Sequence, residues 1–260
     1  MRLTVVGCSG SLPGPRSPAS SYLVEAEDDG GRTWRVVLDL GSGALGPLQR
    51  HTRLTDLDAV LLSHLHPDHC MDLCGLYVAL RYDPRGASKR RLPVHGPTST
   101  ADRMARAYDL SPDPGMTEEF DFVAWREGEE VRIGPFAVTA RRVVHPVEAY
   151  GMRLEAPGEQ GGRKILAYTG DTDSCDALEE LSAGADLLLA EAAFQEGRDS
   201  QRGIHLTGRR AGELASTAGV GEVVLTHLPP WNDPEVSLAE ARSAYAGPIT
   251  LAEQDAVHVL

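Results

Sequence analysis

Three imidazoles and one carboxylate fall within six residues in the run Ser63-His64-Leu65-His66-Pro67-Asp68-His69, directly behind the apolar stretch Ala59-Val60-Leu61-Leu62. His64 and His66 stand two apart, so on an extended backbone both side chains leave the same face and can reach one ion. Pro67 then ends the extended segment, because its ring fixes φ and removes an N–H donor. Asp68 and His69 can therefore aim at a second ion beside the first. A mixed His and Asp set without thiolate suits zinc, and it leaves manganese and iron open.

Three later segments each place one more ligand type just past a strand-like run. His145 follows Val143-Val144, Asp171 stands in Tyr168-Thr169-Gly170-Asp171-Thr172, and His227 follows Val223-Val224-Leu225-Thr226. Strand ends are where active sites of α/β proteins collect. With the first run they make seven ligands, enough for two ions. Asp171 can bridge the pair, since a carboxylate has two oxygens to share.

The elements that must position these residues alternate along the chain. β-branched and apolar runs predict strands at 3–6, 21–25, 35–39, 59–62, 136–144, 164–168, 186–189, 222–226 and 249–252. Helical periodicity covers 69–81, 99–108, 175–181, 207–218 and 234–245. Strands and helices in every third of the chain imply sheets covered by helices, an α/β fold, rather than a sandwich of sheets alone or a bundle. Pro157 to Gly162 reads as a hairpin turn and Asp109 to Gly115 as a surface loop.

At 260 residues and 42% hydrophobic content the chain can bury a full core, and one domain over 1–260 is expected. The formal charge of −13 comes from 38 acidic against 25 basic residues. Such a surface repels polyanions at long range, so extended nucleic acid is not expected as a partner without a local basic patch. Arg85, Lys89, Arg90 and Arg91 are the candidate for one, and a solvated loop is the plainer reading. Cys8, Cys70, Cys74 and Cys175 match no zinc-ribbon or thioredoxin spacing and are expected as free thiols in a reducing compartment. No signal peptide or membrane span is visible, which fits a cytoplasmic protein.

The order H-x-H-x-D-H, His, Asp, His resembles the metallo-β-lactamase superfamily, and the resemblance covers nearly the whole chain. It implies a four-layered αββα sandwich with the site at one edge between two sheets. It implies that His64, His66 and His145 hold one divalent metal, that Asp68, His69 and His227 hold the other, and that Asp171 bridges them. Zinc is expected first, with manganese also compatible. β-Lactamases of the commonest class carry Cys where this chain has Asp171, which argues against antibiotic hydrolysis. The short tail after His227 leaves no room for the helical domain of a glyoxalase II.

The opening Gly7-Cys8-Ser9-Gly10-Ser11-Leu12-Pro13, the later Ser20-Ser21, and Glu191-Ala192-Ala193-Phe194 with His205-Leu206-Thr207 are similar to the branch that holds tRNase Z and related phosphodiesterases. In tRNase Z an arm that grips tRNA protrudes between the third-motif His and the bridging Asp. The interval from His145 to Asp171 here reads as a plain hairpin. With Leu48-Gln49-Arg50-His51 and Leu225-Thr226-His227-Leu228-Pro229-Pro230-Trp231, the pattern is most similar to bacterial cyclic nucleotide phosphodiesterases of this fold.

The expected reaction is hydrolysis of a small phosphodiester such as cyclic AMP. Two adjacent cations lower the pKa of a bridging water and offset charge developing on the phosphoryl oxygens. The expected catalytic residues are Asp68, Asp171 and His205, the last as general acid for the leaving oxygen because an imidazole titrates near neutrality. Asp39 is a candidate for orienting a metal-bound imidazole, and Glu191 for steering His205 or His69, with turn or cap roles as the alternatives. Trp231 suits either stacking on a base or lining the core. His51, His95 and His258 read as structural. The competing readings are a tRNase Z-like RNA 3′-processing endonuclease and a lactone or thioester hydrolase, both of which share the metal ligands. The apolar segment Leu73 to Leu80 is compatible with a homodimer interface or with simple packing on the sheet.

Overall fold

The computed structural model describes residues 1–84 and 90–260. Fourteen strands among the described residues form two seven-stranded sheets. The first contains β1 (Arg2–Gly7), β2 (Ser21–Glu27), β3 (Thr33–Leu40), β4 (Ala59–Leu61), β5 (Leu92–Gly96) and β6 (Phe120–Ala124). The second contains β7 (Glu130–Ile133), β8 (Phe136–Arg142), β9 (Tyr150–Pro157), β10 (Arg163–Tyr168), β11 (Leu187–Glu191), β12 (Glu222–Thr226) and β13 (Ile249–Leu251), and β14 (Val257–Val259) returns to edge the first. The spatial orders are β14-β1-β2-β3-β4-β5-β6 and β13-β12-β11-β10-β9-β8-β7. In each sheet an antiparallel half passes into a parallel half, at β3–β4 in the first and at β10–β11 in the second.

Alternation along the strands explains the layers. Val36 and Leu38 of β3 turn inward to meet Leu187 and Leu189 of β11, Leu166 of β10 and Phe136 of β8 in one core between the sheets. Val37 of β3 and Val60 of β4 turn outward instead, against Leu48 of α1 (Leu45–Leu48), Leu73 and Leu76 of α3 (Leu73–Tyr82), and Met104 of α4 (Thr100–Ala107). On the other flank Leu188 of β11 and Val223 and Leu225 of β12 pack on Leu178 of α5 (Asp176–Ser182), Leu214 of α6 (Gly208–Ala218) and Leu238 of α7 (Pro234–Arg242). Strands with apolar residues on both faces need cover on both, which is why the chain makes four αββα layers. The expected fold class is the observed one.

Two departures from the sequence reading have local causes. The helix expected over 69–81 is two, α2 (Pro67–Cys70) and α3 (Leu73–Tyr82). The break falls at Asp72, whose N–H donates to the Leu40 carbonyl and whose carboxylate accepts from the Leu45 N–H. β5, β6, β7, β9 and β14 had no predicted counterpart. β5 contains Pro93, while Asp121, Glu130 and Arg132 interrupt the apolar runs of β6 and β7. The hairpin at Pro157 to Gly162 does join β9 to β10. All four cysteines are free thiols. No helix among the described residues is long and apolar enough to cross a membrane.

The exits of β3, β4, β10, β11 and β12 gather at one edge, and close backbone contacts fix them there. A Cβ on Gly41, just after β3, would lie 1.9 Å from the Asp68 carbonyl oxygen. Only glycine lets the two segments meet. Gly41→Ala is expected to destabilise the fold by about 1–3 kcal/mol through this overpacking and to shift the backbone of Asp68. Urea unfolding of purified variant and parent measures it, and equal midpoints would refute the contact.

Candidate metal centre

Each ligand-type residue singled out in the sequence lies at that edge. His64 and His66 come from the turn between β4 and α2, Asp68 and His69 from α2 itself, His145 from the loop between β8 and β9, Asp171 from the exit of β10 and His227 from the exit of β12. Their atoms form two groups, each within 4.8 Å: His64, His66, His145 and Asp171 in one, and Asp68, His69, His227 and Asp171 in the other. Asp171 belongs to both, as a bridging carboxylate must.

In the first group His64 Nε2 and His145 Nε2 stand 2.9 and 3.2 Å from His66 Nδ1, and His64 Nε2 is 3.7 Å from Asp171 Oδ2. In the second, His227 Nε2 is 3.2 Å from Asp171 Oδ2 and 3.8 Å from Asp68 Oδ2, while His69 Nε2 is 3.2 Å from Asp171 Oδ1. His64, His69, His227 and Asp171 are almost wholly buried.

The opposite ring nitrogens show what the converging ones are for. His145 Nδ1 donates to the Ile204 carbonyl at 2.8 Å, and His69 Nδ1 to Asp39 Oδ2 at 2.7 Å. Both partners only accept, so Nδ1 carries a proton and, when the ring is neutral, Nε2 keeps the lone pair a metal needs. Ser63 Oγ gives its own proton to Asp39 Oδ2 and so accepts from His64 Nδ1, 3.0 Å away. Ser20 Oγ meets His227 Nδ1 at 2.9 Å. Meanwhile His69 Nε2, His227 Nε2 and Asp171 Oδ1 are buried without a hydrogen bond, although two of them lie 3.2 Å apart. Unpaired buried polar atoms are costly, and these are lone pairs converging on shared points. The donor set and its outer partners fit divalent cations.

Electrostatics favour ligation at His64 and Asp171. At His69 burial is outweighed by the Asp171 and Asp39 carboxylates, which raise that imidazole well above its usual range, so a cation there would displace the Nε2 proton. Burial, together with the neighbouring His69, pushes His64 well below the usual imidazole range and so keeps it a neutral ligand. Burial would raise the Asp171 carboxyl, but His227, His69 and His64 around it outweigh burial and hold it well below the usual carboxylate range. Asp39 and His227 both have left-handed backbone, with φ of 54° and 55°. Such conformations cost about 1–3 kcal/mol each and persist where surrounding contacts over-determine them. At Asp39 those contacts are donors from Ser63 N, Ser63 Oγ, His69 Nδ1 and Tyr168 OH.

His205 sits beside the two ligand groups, its ring 5.5 Å from that of His145 and 5.6 Å from that of His227. Its Nδ1 is 2.8 Å from Glu191 Oε1. Burial lowers this imidazole, yet the Glu191 carboxylate outweighs it and raises the pKa to about 9. Glu191 is fully buried and also accepts from Thr172 N through Oε1 and from Ala193 N through Oε2. Its engaged oxygens make it a positioning residue rather than a further ligand. Of the two roles considered for it, steering His205 is the one found.

Asp39 orients His69 as expected. Trp231 is exposed and so does not line the core. His51 pairs with Asp255 at the surface, His95 stacks on Trp125 and His258 lies beside Glu222, all structural positions. Arg90 and Arg91 meet Asp58 and Asp121, while Arg85 and Lys89 of the same basic cluster lie outside the described residues.

Sequence reading missed Tyr168 and the Ile204 carbonyl, whose partners are distant in the chain, and took Ser20 only as part of a motif. It also missed Asp173, two residues past Asp171. Asp173 accepts from Gly203 N and Arg210 Nη1 and pairs with Arg202, which fastens the loop that carries His205.

Comparison with known proteins follows the same lines. The family described as the beta-lactamase superfamily domain matches residues 34–228. An uncharacterized protein of Mycobacterium leprae is 44% identical over 253 residues, 96% of this chain and 85% of that protein. The probable metallo-hydrolase YhfI of Bacillus subtilis is 30% identical over 97% of both chains, and its crystal structure superposes with a TM-score of 0.85 over 99% of this chain and 98% of that one. A ribonuclease Z of Mycobacterium bovis is 31% identical over 260 aligned residues, 88% of this chain and 86% of that enzyme.

Ser20→Ala removes the side chain that, among the described residues, meets His227 Nδ1. The variant is expected to bind the zinc ion at Asp68, His69 and His227 about 10–100-fold less tightly, as loss of an outer partner does at other metal sites. Zinc titration of chelator-stripped protein reads this, and parental affinity for both ions would show that Ser20 does not orient His227.

Proposed function

The chain belongs to the metallo-β-lactamase superfamily, and from that membership we propose a dinuclear phosphodiesterase that hydrolyses a small phosphodiester, a cyclic nucleotide such as cyclic AMP. Five imidazoles and two carboxylates would hold two divalent cations, zinc first and manganese as the alternative. Bound there, the cations would supply Lewis acidity toward the phosphoryl oxygens and acidify a water.

The observation that carries the reading is the Glu191–His205 pair beside the ligand groups. With Nδ1 committed to Glu191, Nε2 of His205 is the nitrogen left for substrate. Hydrolysis forms a bond from a water oxygen to phosphorus, with the water's proton passing to solvent, and breaks the bond from phosphorus to the ester oxygen, which takes a proton from His205 Nε2. The resulting neutral imidazole stays hydrogen-bonded to Glu191 and is reprotonated from solvent. A poor alkoxide leaving group needs such a donor. Asp68 and Asp171 contribute as carboxylate ligands, and Asp173 keeps the His205 loop in register.

Small substrates are favoured over polymers for two reasons. Between His145 and Asp171 the chain forms only β9, its hairpin and β10, with no protruding arm. The net charge of −13 also opposes a long polyanion. An RNA 3′-processing endonuclease is the second reading, supported by the ribonuclease Z relatives. As partners we propose the small phosphodiester alone, without membrane, and allow a homodimer.

Zinc-loaded protein is expected to hydrolyse bis-p-nitrophenyl phosphate and cyclic AMP and to leave a 3′-extended tRNA precursor intact. Cleavage of the precursor with inert cyclic AMP would promote the second reading, and inert phosphodiesters throughout would refute the first. His205→Ala is expected to lower kcat about 10²–10⁴-fold while retaining both metal ions. Steady-state rates with metal analysis on the same sample decide this, and an unchanged kcat would remove His205 from the reaction.

A further inference from the structure

Large apolar side chains stand exposed on the loops that frame the metal centre: Leu12 between β1 and β2, Val144 and Val147 between β8 and β9, and Trp231 between β12 and α7. Trp231 is the extreme case, 63% exposed. The other two tryptophans are used by the fold. Trp125 is buried with its Nε1 donating to the Leu62 carbonyl, and Trp34 lies under the Arg32 guanidinium at 3.9 Å.

The loop that carries Trp231 is fastened from several sides. Asn232 N donates to the Pro229 carbonyl and closes a turn with Trp231 inside it, while Pro229 and Pro230 fix their own φ. Asn232 Nδ2 donates to the Ala193 carbonyl at 2.8 Å and Asn232 Oδ1 accepts from Arg198 at 2.8 Å. Gln195 Nε2 donates to the Asp233 carbonyl, and Gly10 N donates to that of Leu228. The segment that receives these bonds also carries Phe194, whose ring meets that of His205 edge-on at 5.0 Å. An exposed indole on a rigid turn, one residue from a bond to the wall of the proton donor, offers an aromatic surface that loses little freedom on binding.

We propose that Trp231 is the platform on which the base of a nucleotide substrate stacks while its phosphodiester lies against His205 and the metal ligands. This deepens the phosphodiesterase reading and rests on it. The occupant is a single base rather than a strand, because four arginines on the His145 and His205 side of the site are already matched. Arg142 faces Glu148, Arg198 faces Asp199, and Arg202 and Arg210 both face Asp173. Stacking tolerates any base, so purine and pyrimidine nucleotides should both bind.

AMP titrated into zinc-loaded protein tests the proposal through tryptophan emission, a readout independent of turnover. Saturable quenching is expected in the parent and its loss in Trp231→Phe, where Trp34 and Trp125 still emit. In a second arm, the preference in kcat/KM for cyclic AMP over the cyclic phosphate of ribose without a base is expected to fall about tenfold in Trp231→Ala and to survive in Trp231→Tyr. No quenching in the parent, equal quenching in Trp231→Phe, or an unchanged preference in Trp231→Ala would overturn it. If the parent hydrolyses no phosphodiester at all, the phosphodiesterase reading fails, and the emission arm still decides for or against stacking.

Discussion

A carboxylate almost wholly removed from water, Asp171, faces the Nε2 atoms of three buried imidazoles, and one of its oxygens has no hydrogen bond. Burying such a group is tolerated only with a compensating charge, and the imidazoles, neutral when they act as ligands, do not then supply it. Cations at the two points where the ligands converge would. The outer partners follow from the same constraint. Asp39, Ser63, Ser20 and the Ile204 carbonyl hold the far side of four rings, so that the lone pairs cannot turn away.

The architecture serves that constraint. Asp39 ends a strand of the first sheet and Tyr168 a strand of the second, and their 2.7 Å hydrogen bond ties the sheets together directly beneath the ligands. Tyr22 OH and Thr226 Oγ1 make a similar tie at 2.6 Å. Left-handed backbone at Asp39 and His227 is held in place by these contacts, so local strain, cross-sheet bonding and ligand placement are one arrangement. The Ile204 carbonyl adds the link to chemistry, since the loop that orients His145 also carries His205.

The clustering of these His and Asp side chains was legible in the sequence because close spacing in one run and positions just past apolar strands are both local signals. The fold class followed from strands alternating with helices. What escaped was what depends on apposition. Tyr168 reaches Asp39 across 129 residues and Ser20 reaches His227 across 207, and no local pattern marks either pair. The Ile204 contribution is a backbone carbonyl, which the identity of a side chain cannot reveal. Short strands interrupted by Pro93, Asp121 or Arg132 were hidden because tertiary pairing rather than propensity makes them.

Metal stoichiometry tests the central claim, that this edge is built around two cations bridged by Asp171. Calorimetric titration of zinc into chelator-stripped protein is expected to show two equivalents per chain, with Asp171→Asn reducing the tight equivalents to one or none. A single equivalent in the parent, or two tight equivalents in Asp171→Asn, would contradict it.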